Sequence, residues 1–355
     1  MVGSSDTRTI CHIEIKLRAE VIMAQTDYGI DLGSSTIVIY ARTRGVVVME
    51  PALIAYDKDA DRILAYGEEA RQMLTRATGG VIAIRPLKNG AISDYAMIEK
   101  LLQHFLAKAM GRRAIRKPVI SICVPVGLTP VERRAVEEAV FQAGARNVSI
   151  VPGTVCAAIG AGIDITKPVG NMVVDIGGSS TNIAVISVGA PVLEKTVAVG
   201  GETFTAAIAR HVRRHHSLFI AESQAEEVKR QVGAVYQRPG LMDCKVTGRN
   251  VLTGLPMTIA ITSEEVRLAS QDAAAEIVEA VHGAMEKTPP ELAEDIVDRG
   301  VVLTGGGALI SGFEELIEER TGINTMTAEN ADLCVAEGAA FYKERMEMLS
   351  RMRTR

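Results

Sequence analysis

Apolar residues along the chain gather in short runs that are bounded by polar, glycine-rich turns. Tyr28-Gly-Ile-Asp31-Leu is one such run; Gly33-Ser34-Ser35-Thr36 turns the chain, and Ile37-Val-Ile-Tyr40 follows, which predicts a β-hairpin. The pattern returns as Met172-Val-Val-Asp175-Ile, the turn Gly177-Gly178-Ser179-Ser180-Thr181 and the run Ile183-Ala-Val-Ile-Ser187. A repeat of this kind implies an internal duplication of two α/β domains. A third run, Gly300-Val-Val-Leu-Thr304, ends in Gly305-Gly306-Gly307-Ala308 and predicts a buried strand that opens a helix at about Ile310 to Arg320.

Between the first two turns the pattern changes period. A helix is expected over Ala96 to Met110, and Val119-Ile-Ser-Ile-Cys-Val124 before Pro125 has the unbroken apolar character of a fully buried strand. Thr129 then suits an N-cap, Pro130 the first helical position and Gly144 the C-terminal stop, which predicts a helix from Pro130 to Gly144. A short strand over Val148 to Val151 leads into the small residues Cys156-Ala-Ala-Ile-Gly-Ala-Gly162, which permit close packing at a hinge between domains. The stretch Phe341 to Arg355 mixes Met346, Met348, Leu349 and Met352 with Lys343, Arg345, Arg351 and Arg353 and is expected to be a packed helix with a frayed end.

Composition narrows the classes. At 355 residues with 47% hydrophobic side chains, the chain is long enough for about two domains with substantial cores. Basic and acidic residues number 39 and 43, and only 13 side chains are aromatic, so neither a basic field nor a set of stacking platforms exists for nucleic acid. The five cysteines show no C-x-x-C spacing and fit reduced thiols in a cytoplasm. Met1 to Ile22 lacks a signal-type apolar block, because Glu14, Lys16, Arg18 and Glu20 interrupt it, so residues 1–25 are expected to be a disordered extension.

Each turn carries the chemistry that a nucleoside triphosphate requires. Glycine lets the backbone approach phosphate closely, consecutive N–H groups form an anion-binding concavity, and the hydroxyls of Ser34, Ser35, Thr36, Ser179, Ser180 and Thr181 add donors. Asp31 and Asp175 end the two strands and would hold a hydrated Mg²⁺ between the loops. Gly305, Gly306, Gly307 and Ala308 would face the inner phosphates or the sugar. One such loop is weak evidence; three in the order hairpin, hairpin, strand-to-helix are strong. No G-x-x-x-x-G-K-[ST] is present, so this is not a P-loop. His211 and His215 have metal-helix spacing, but Arg213 and Arg214 between them would repel a cation, and no metal is expected there.

In this order and spacing the motifs resemble the actin-like ATPase superfamily, and within it the bacterial MreB-type cell-shape proteins, from about Asp27 to Tyr342. The resemblance is carried by Gly29-Ile-Asp-Leu-Gly33, Arg85-Pro-Leu-Lys-Asn-Gly-Ala-Ile-Ser-Asp94, Val124-Pro-Val-Gly-Leu-Thr-Pro-Val-Glu-Arg-Arg-Ala135, Ala157-Ala-Ile-Gly-Ala-Gly162, Ala225-Glu-Glu-Val-Lys229 and the Leu303 to Ala308 loop. It implies an actin-like, ribonuclease-H-like duplicated α/β fold with four subdomains and Mg-ATP in the cleft between domains. It further implies self-assembly into filaments at the inner face of the cytoplasmic membrane, organisation of the cell-wall elongation machinery, and adenosine contacts from Glu226 and Lys229. Domain I would comprise 26–162 and about 313–355, with a small subdomain at about 51–84. Domain II would comprise 163–312, with a small subdomain at about 204–257. A small-molecule kinase on the same superfold is the alternative.

Three departures from the family pattern stand out. Where MreB-type proteins place a water-orienting Glu before the small-residue helix, this chain reads Val151-Pro152-Gly153-Thr154, so the position is Gly153. A second acid common in the second phosphate loop is replaced by Asn182. ATP binding with poor turnover is expected, with Asp94 and Thr154 as substitute candidates. The family's membrane loop corresponds to Arg112-Arg113-Ala114-Ile115-Arg116-Lys117, where a single clear apolar residue, Ile115, sits among Arg112, Arg113, Arg116 and Lys117. Charge attraction to anionic lipid would replace the missing hydrophobe.

Overall fold

A computed structural model describes residues 27–76, 79–88, 91–111, 117–237 and 240–353. The extension expected over 1–25 lies outside them, as do Arg112, Arg113, Ile115 and Arg116.

The predicted hairpin is present: β1 (Tyr28–Leu32) pairs antiparallel with β2 (Thr36–Ala41), Asp31 opposite Val38, and β3 (Gly45–Pro51) extends the meander. β4 (Ile54–Asp57), β5 (Arg62–Tyr66) and β6 (Val81–Ile84) form a small separate sheet over Leu53, Ala55, Ala65 and Ala70. β7 (Leu87–Lys88) and β8 (Ala91–Ile92) make a minimal hairpin. The helix Tyr95–Met110 leads to β9 (Val119–Cys123), whose five residues are all buried, and the helix Pro130–Gln142 leads to β10 (Asn147–Val151). Both β9 and β10 lie parallel to β1, giving the order β10-β9-β1-β2-β3.

The Pro130–Gln142 helix starts as its sequence dictates. Thr129 Oγ1 accepts from the Glu132 N–H while Glu132 takes the Thr129 N–H, a reciprocal cap, and Gly144 leaves the helix at φ +110°.

The second half repeats the plan. β11 (Asn171–Ile176), β12 (Thr181–Ser187) and β13 (Ala190–Val197) form the antiparallel meander. β14 (Leu218–Phe219), β15 (Asp243–Asn250) and β16 (Pro256–Thr262) form a second small sheet under the helices Gly201–His216 and Glu222–Val232. After the helices Ser263–Met285 and Pro290–Arg299, β17 (Val301–Thr304) and β18 (Thr325–Thr327) add parallel to β11, giving β13-β12-β11-β17-β18. Strand for strand this is the order of the first sheet.

Two expectations need correction. The glycine loop after β17 does not run straight into a helix; Gly306–Leu309 forms a 3₁₀ turn, Ser311 bridges to Ala234, and the α-helix spans Phe313–Thr321. Gly312, at φ +96°, makes the break, and a Cβ there would lie 2.5 Å from the Cβ of Tyr236. The return to the first half also comes later than residue 313. Phe313, Ile317, Ile323 and Ala331 pack in the second core and β18 belongs to its sheet, so the crossing is made by the helix Cys334–Arg353.

That last helix lies on β1 and on the helix Gly153–Gly160. The two helices touch at backbone level: a Cβ on Gly160 would overlap the Cys334 carbonyl, and one on Gly338 the Cys156 carbonyl. The small-residue run therefore does serve close packing. Around it one apolar cluster joins Cys123 and Val151 of the first half, Val173, Ala184 and Ile186 of the second, and Val335 and Ala339 of the last helix.

Candidate functional site

Because the two sheets share one strand plan, the turns after β1 and β11 occupy equivalent places, and the fold brings them face to face. Ser179 Oγ donates to Ser34 Oγ at 2.9 Å, and a Cβ on Gly178 would overlap Ser35 Oγ. The helix Gly201–His216 starts on the second turn: the Gly201 N–H reaches the Gly177 carbonyl at 2.9 Å and the Glu202 N–H the Gly178 carbonyl at 2.8 Å. Gly33, Ser34, Ser35 and Thr36 of the first turn thus meet Gly177, Gly178, Ser179, Ser180 and Thr181 of the second. Thr181 is the exception in function, since its buried hydroxyl is spent on the Val199 carbonyl at 2.8 Å.

Asp31 and Asp175 sit at the strand ends beneath the turns, Asp31 beside Cys123 of β9 and Asp175 beside Thr304 of β17. Burial, and secondarily the charge of Asp175, push the Asp31 carboxyl up to about 7. Burial also raises Asp175, against hydrogen bonds from Thr304 Oγ1 at 3.2 Å and from Asn182. Two neighbouring carboxyls whose charge burial disfavours are a donor set for a hard cation. Among the described residues no third His, Cys, Asp or Glu joins them. A metal there would take its remaining ligands from phosphate and water, which is the habit of Mg²⁺.

The third loop closes the same space from below. Gly305, at φ +83°, has room for no side chain: a Cβ would lie 2.7 Å from Asp175 Oδ1 and strike the Ile176 carbonyl. Gly306 is different, with nothing nearer to a Cβ than 3.9 Å, so its face is open to a ligand. A 3₁₀ turn rather than an α-helix N-terminus follows the loop, and the Ala308 N–H is spent within it on the Gly305 carbonyl at 3.1 Å, which leaves Gly306 and Gly307 as the backbone donors to consider.

Glu226 and Lys229 are joined at 2.6 Å and turned toward the second turn, since Lys229 Nζ donates to the Gly201 carbonyl at 2.8 Å and to Thr205 Oγ1 at 3.0 Å. Burial works against the Glu226 charge, yet Lys229 and the Thr205 hydroxyl hold its carboxyl below the usual range.

The two substitute candidates each make a hydrogen bond of their own. Asp94 caps the helix Tyr95–Met110, accepting from the Met97 N–H at 3.1 Å, which is a structural duty at a helix start. Thr154 is 3% exposed and its Oγ1 donates to Glu194 Oε1 of β13 at 2.7 Å, so the hydroxyl is committed to a residue of the second sheet. At Gly153 a Cβ would meet nothing within 4 Å. Asn182 accepts from Thr196 Oγ1 at 2.9 Å and braces Asp175.

Sequence reading missed three residues. Glu194 was invisible because its place opposite Ala184 is a matter of register. Glu202 follows the glycine pair that starts its helix, and Ser35 Oγ donates to its Oε1 at 2.7 Å. Arg85 opens one of the motifs quoted above, but its reach to Glu202 and Glu222 is a tertiary fact. Of the expected membrane loop only Lys117, an exposed residue, falls among those described, and no helix among them is long and apolar enough to cross a membrane.

The family model described as "MreB/Mbl protein" matches residues 25–351. The chain is 41% identical over 327 residues to the cell shape-determining protein Mbl of Bacillus subtilis (strain 168), covering 92% of this chain and 98% of that one. Identity is also 41% over 331 residues to the cell shape-determining protein MreB of Escherichia coli (strain K12), covering 92% and 95%. Among solved structures, MreB5 of Spiroplasma citri bound to AMPPNP superposes with a TM-score of 0.85 at 30% identity, covering 93% of this chain and 99% of that one. The fold is therefore actin-like.

Proposed function

From the premise that the chain belongs to the MreB/Mbl family, we propose that it is an ATP-binding, actin-like cytoskeletal protein whose filaments help to determine cell shape. The observation that carries this reading is the meeting of two duplicated Gly-Ser turns over Asp31 and Asp175, closed from below by Gly305 to Ala308. Phosphate oxygens would be held by the turn N–H groups and by the hydroxyls of Ser34, Ser35 and Ser179, which at present bond one another or Glu202. Mg²⁺, held by Asp31 and Asp175 through water, would neutralise the phosphate charge. Glu226 and Lys229 would take the nucleoside. A relative's structure with AMPPNP supports nucleotide binding, and the cell-shape names of relatives that the chain covers almost end to end favour the cytoskeletal reading over a small-molecule kinase.

Within this reading the halves act as lever arms. The domain that carries β1 to β10 and the last helix closes on the domain that carries β11 to β18 when both turns grip one triphosphate. Filaments of closed subunits would lie on the inner membrane surface through the Arg112 to Lys117 loop. Each basic side chain contributes about 1 kcal/mol at an anionic leaflet, and a polymer repeats the loop many times. Cell-wall synthesis enzymes would be organised along the filament.

Electron microscopy of the purified protein with Mg-ATP and vesicles containing anionic lipid tests the whole reading. Filaments on the vesicles are expected for the wild type. Asp175→Ala and Gly306→Val, the latter at a position with room for a side chain, are expected to lose ATP binding and filaments. Replacing Arg112, Arg113, Arg116 and Lys117 by Ser should leave filaments free in solution. Wild-type-like ATP affinity in both cleft variants would refute the site.

A further inference from the structure

A phosphate-binding cleft that contains an unpaired carboxylate would repel its own ligand, and Glu202 is an acid beside both turns that the metal site does not use. Glu202 is fixed there from two sides. Its N–H is tied to the Gly178 carbonyl of the second turn at 2.8 Å, and its Oε1 takes the Ser35 hydroxyl of the first turn at 2.7 Å. The carboxylate therefore stands at the seam between the two turns, where a polyphosphate chain would lie.

Its counter-ion comes from the opposite half. Arg85, directly after β6, places Nη1 3.3 Å from Glu202 Oε1 and Nη2 2.8 Å from Glu222 Oε1 at the start of the helix Glu222–Val232. One planar guanidinium thus spans two carboxylates on two helices of the second half, a geometry that a lysine ammonium does not reproduce. Glu202 is 34% exposed and Arg85 38%, so the pair is partly shielded from water and from salt.

We propose that Arg85 is a positioning residue for nucleoside triphosphate: it cancels the Glu202 charge beside the phosphate chain and fastens the cleft mouth to the second half through Glu222. The inference rests on the nucleotide reading of the cleft and adds to it a residue that sets affinity and release. Two consequences separate charge from mechanical closure. Removing the cation leaves Glu202 facing the phosphates, so Arg85→Gln weakens binding of Mg-AMPPNP by about tenfold; one uncompensated like charge at ~5 Å in a half-shielded site is of that order. Adding Glu202→Gln to that variant removes the repelling group and restores most of the affinity. Arg85→Lys keeps a charge but not the bridge, so it retains affinity better than Arg85→Gln while nucleotide leaves faster than from the wild type.

The experiment is a double-mutant cycle of Arg85→Gln and Glu202→Gln, read by calorimetric titration with Mg-AMPPNP and by stopped-flow release of a fluorescent ATP analogue. The loss in Arg85→Gln should shrink as salt is raised. Hydrogen–deuterium exchange of the nucleotide-free proteins runs beside it, with faster exchange expected at residues 33–36 and 201–205 in Arg85→Gln. Unchanged affinity and release in Arg85→Gln, or failure of Glu202→Gln to restore binding, overturns the proposal. If the wild type binds no nucleotide, the reading of the cleft falls, and the exchange data alone decide whether Arg85 holds the two halves together: unchanged exchange overturns that role too.

Discussion

At Gly153, under the nucleotide reading proposed above, one residue is expected to separate binding from turnover. A positioned acid–base group contributes ~10²–10⁴-fold to a rate, whereas phosphate and metal binding draw on turns that are intact here. The space at Gly153 accepts a side chain, so Gly153→Glu is expected to raise phosphate release by at least about tenfold, the low end of that contribution being discounted for imperfect placement. A phosphate-release assay with Mg-ATP checks this, and an unchanged rate in the variant would mean that another group already orients the water. His211 supplies a second single-residue expectation. Burial, and then the neighbouring His215 stacked on it at 4.3 Å, hold its imidazole below the usual value, with Glu265 opposing and His216 adding to the effect. A histidine depressed in the folded state resists protonation while the unfolded chain accepts it. Stability is therefore lost as pH falls through about 6.5, where the unfolded chain begins to bind the extra proton. Thermal midpoints at pH 7.5 and 5.5 should differ less in His211→Gln than in the wild type.

Among elements, the contact between Gly153–Gly160 and Cys334–Arg353 is set by backbone rather than by side chains. Gly338→Ala brings two opposing effects. Alanine favours a helix over glycine by about 1 kcal/mol, but its Cβ would overlap the Cys156 carbonyl, and no rotamer change can relieve a clash between Cβ and backbone. Overpacking in a close-packed site costs ~1–3 kcal/mol, and here the penalty should exceed the helix gain. The expected outcome is a lower midpoint in chemical denaturation. Elements were also where the sequence was most readable. The hairpins, the buried β9 and the capped Pro130–Gln142 helix follow from alternation, an apolar run and a Thr-Pro-x-Glu start, all local signals. The break at Gly312 and the commitment of Thr154 to Glu194 were hidden, because Tyr236 and β13, which cause them, are far away in sequence. The meeting of the first two turns and the place of the third loop beside Asp175 follow from the repeated pattern, whereas Arg85 and Glu202 become a pair only after both halves have folded.

For the molecule as a whole, the duplicated sheets are joined by one shared cluster and by one returning helix. The second half is continuous in sequence from β11 to Ala331 and assembles its core from residues of that stretch, Phe204 and Val235 among them. The first half differs. β1 and β2 receive the last helix through Tyr40 against Glu337 and Phe341 and through Arg42 against Glu344, partners about 300 positions later. On a ribosome, which releases the chain from its N-terminus, the half made first therefore stays uncovered along β1 until the helix Cys334–Arg353 emerges, and the core assembled between β11 and Ala331 is free to form earlier. A chain ended at Leu333 should accordingly yield a protease-resistant fragment that spans β11 to β18, with cleavage concentrated in β1 to β10. Order of synthesis and order of completion run in opposite directions.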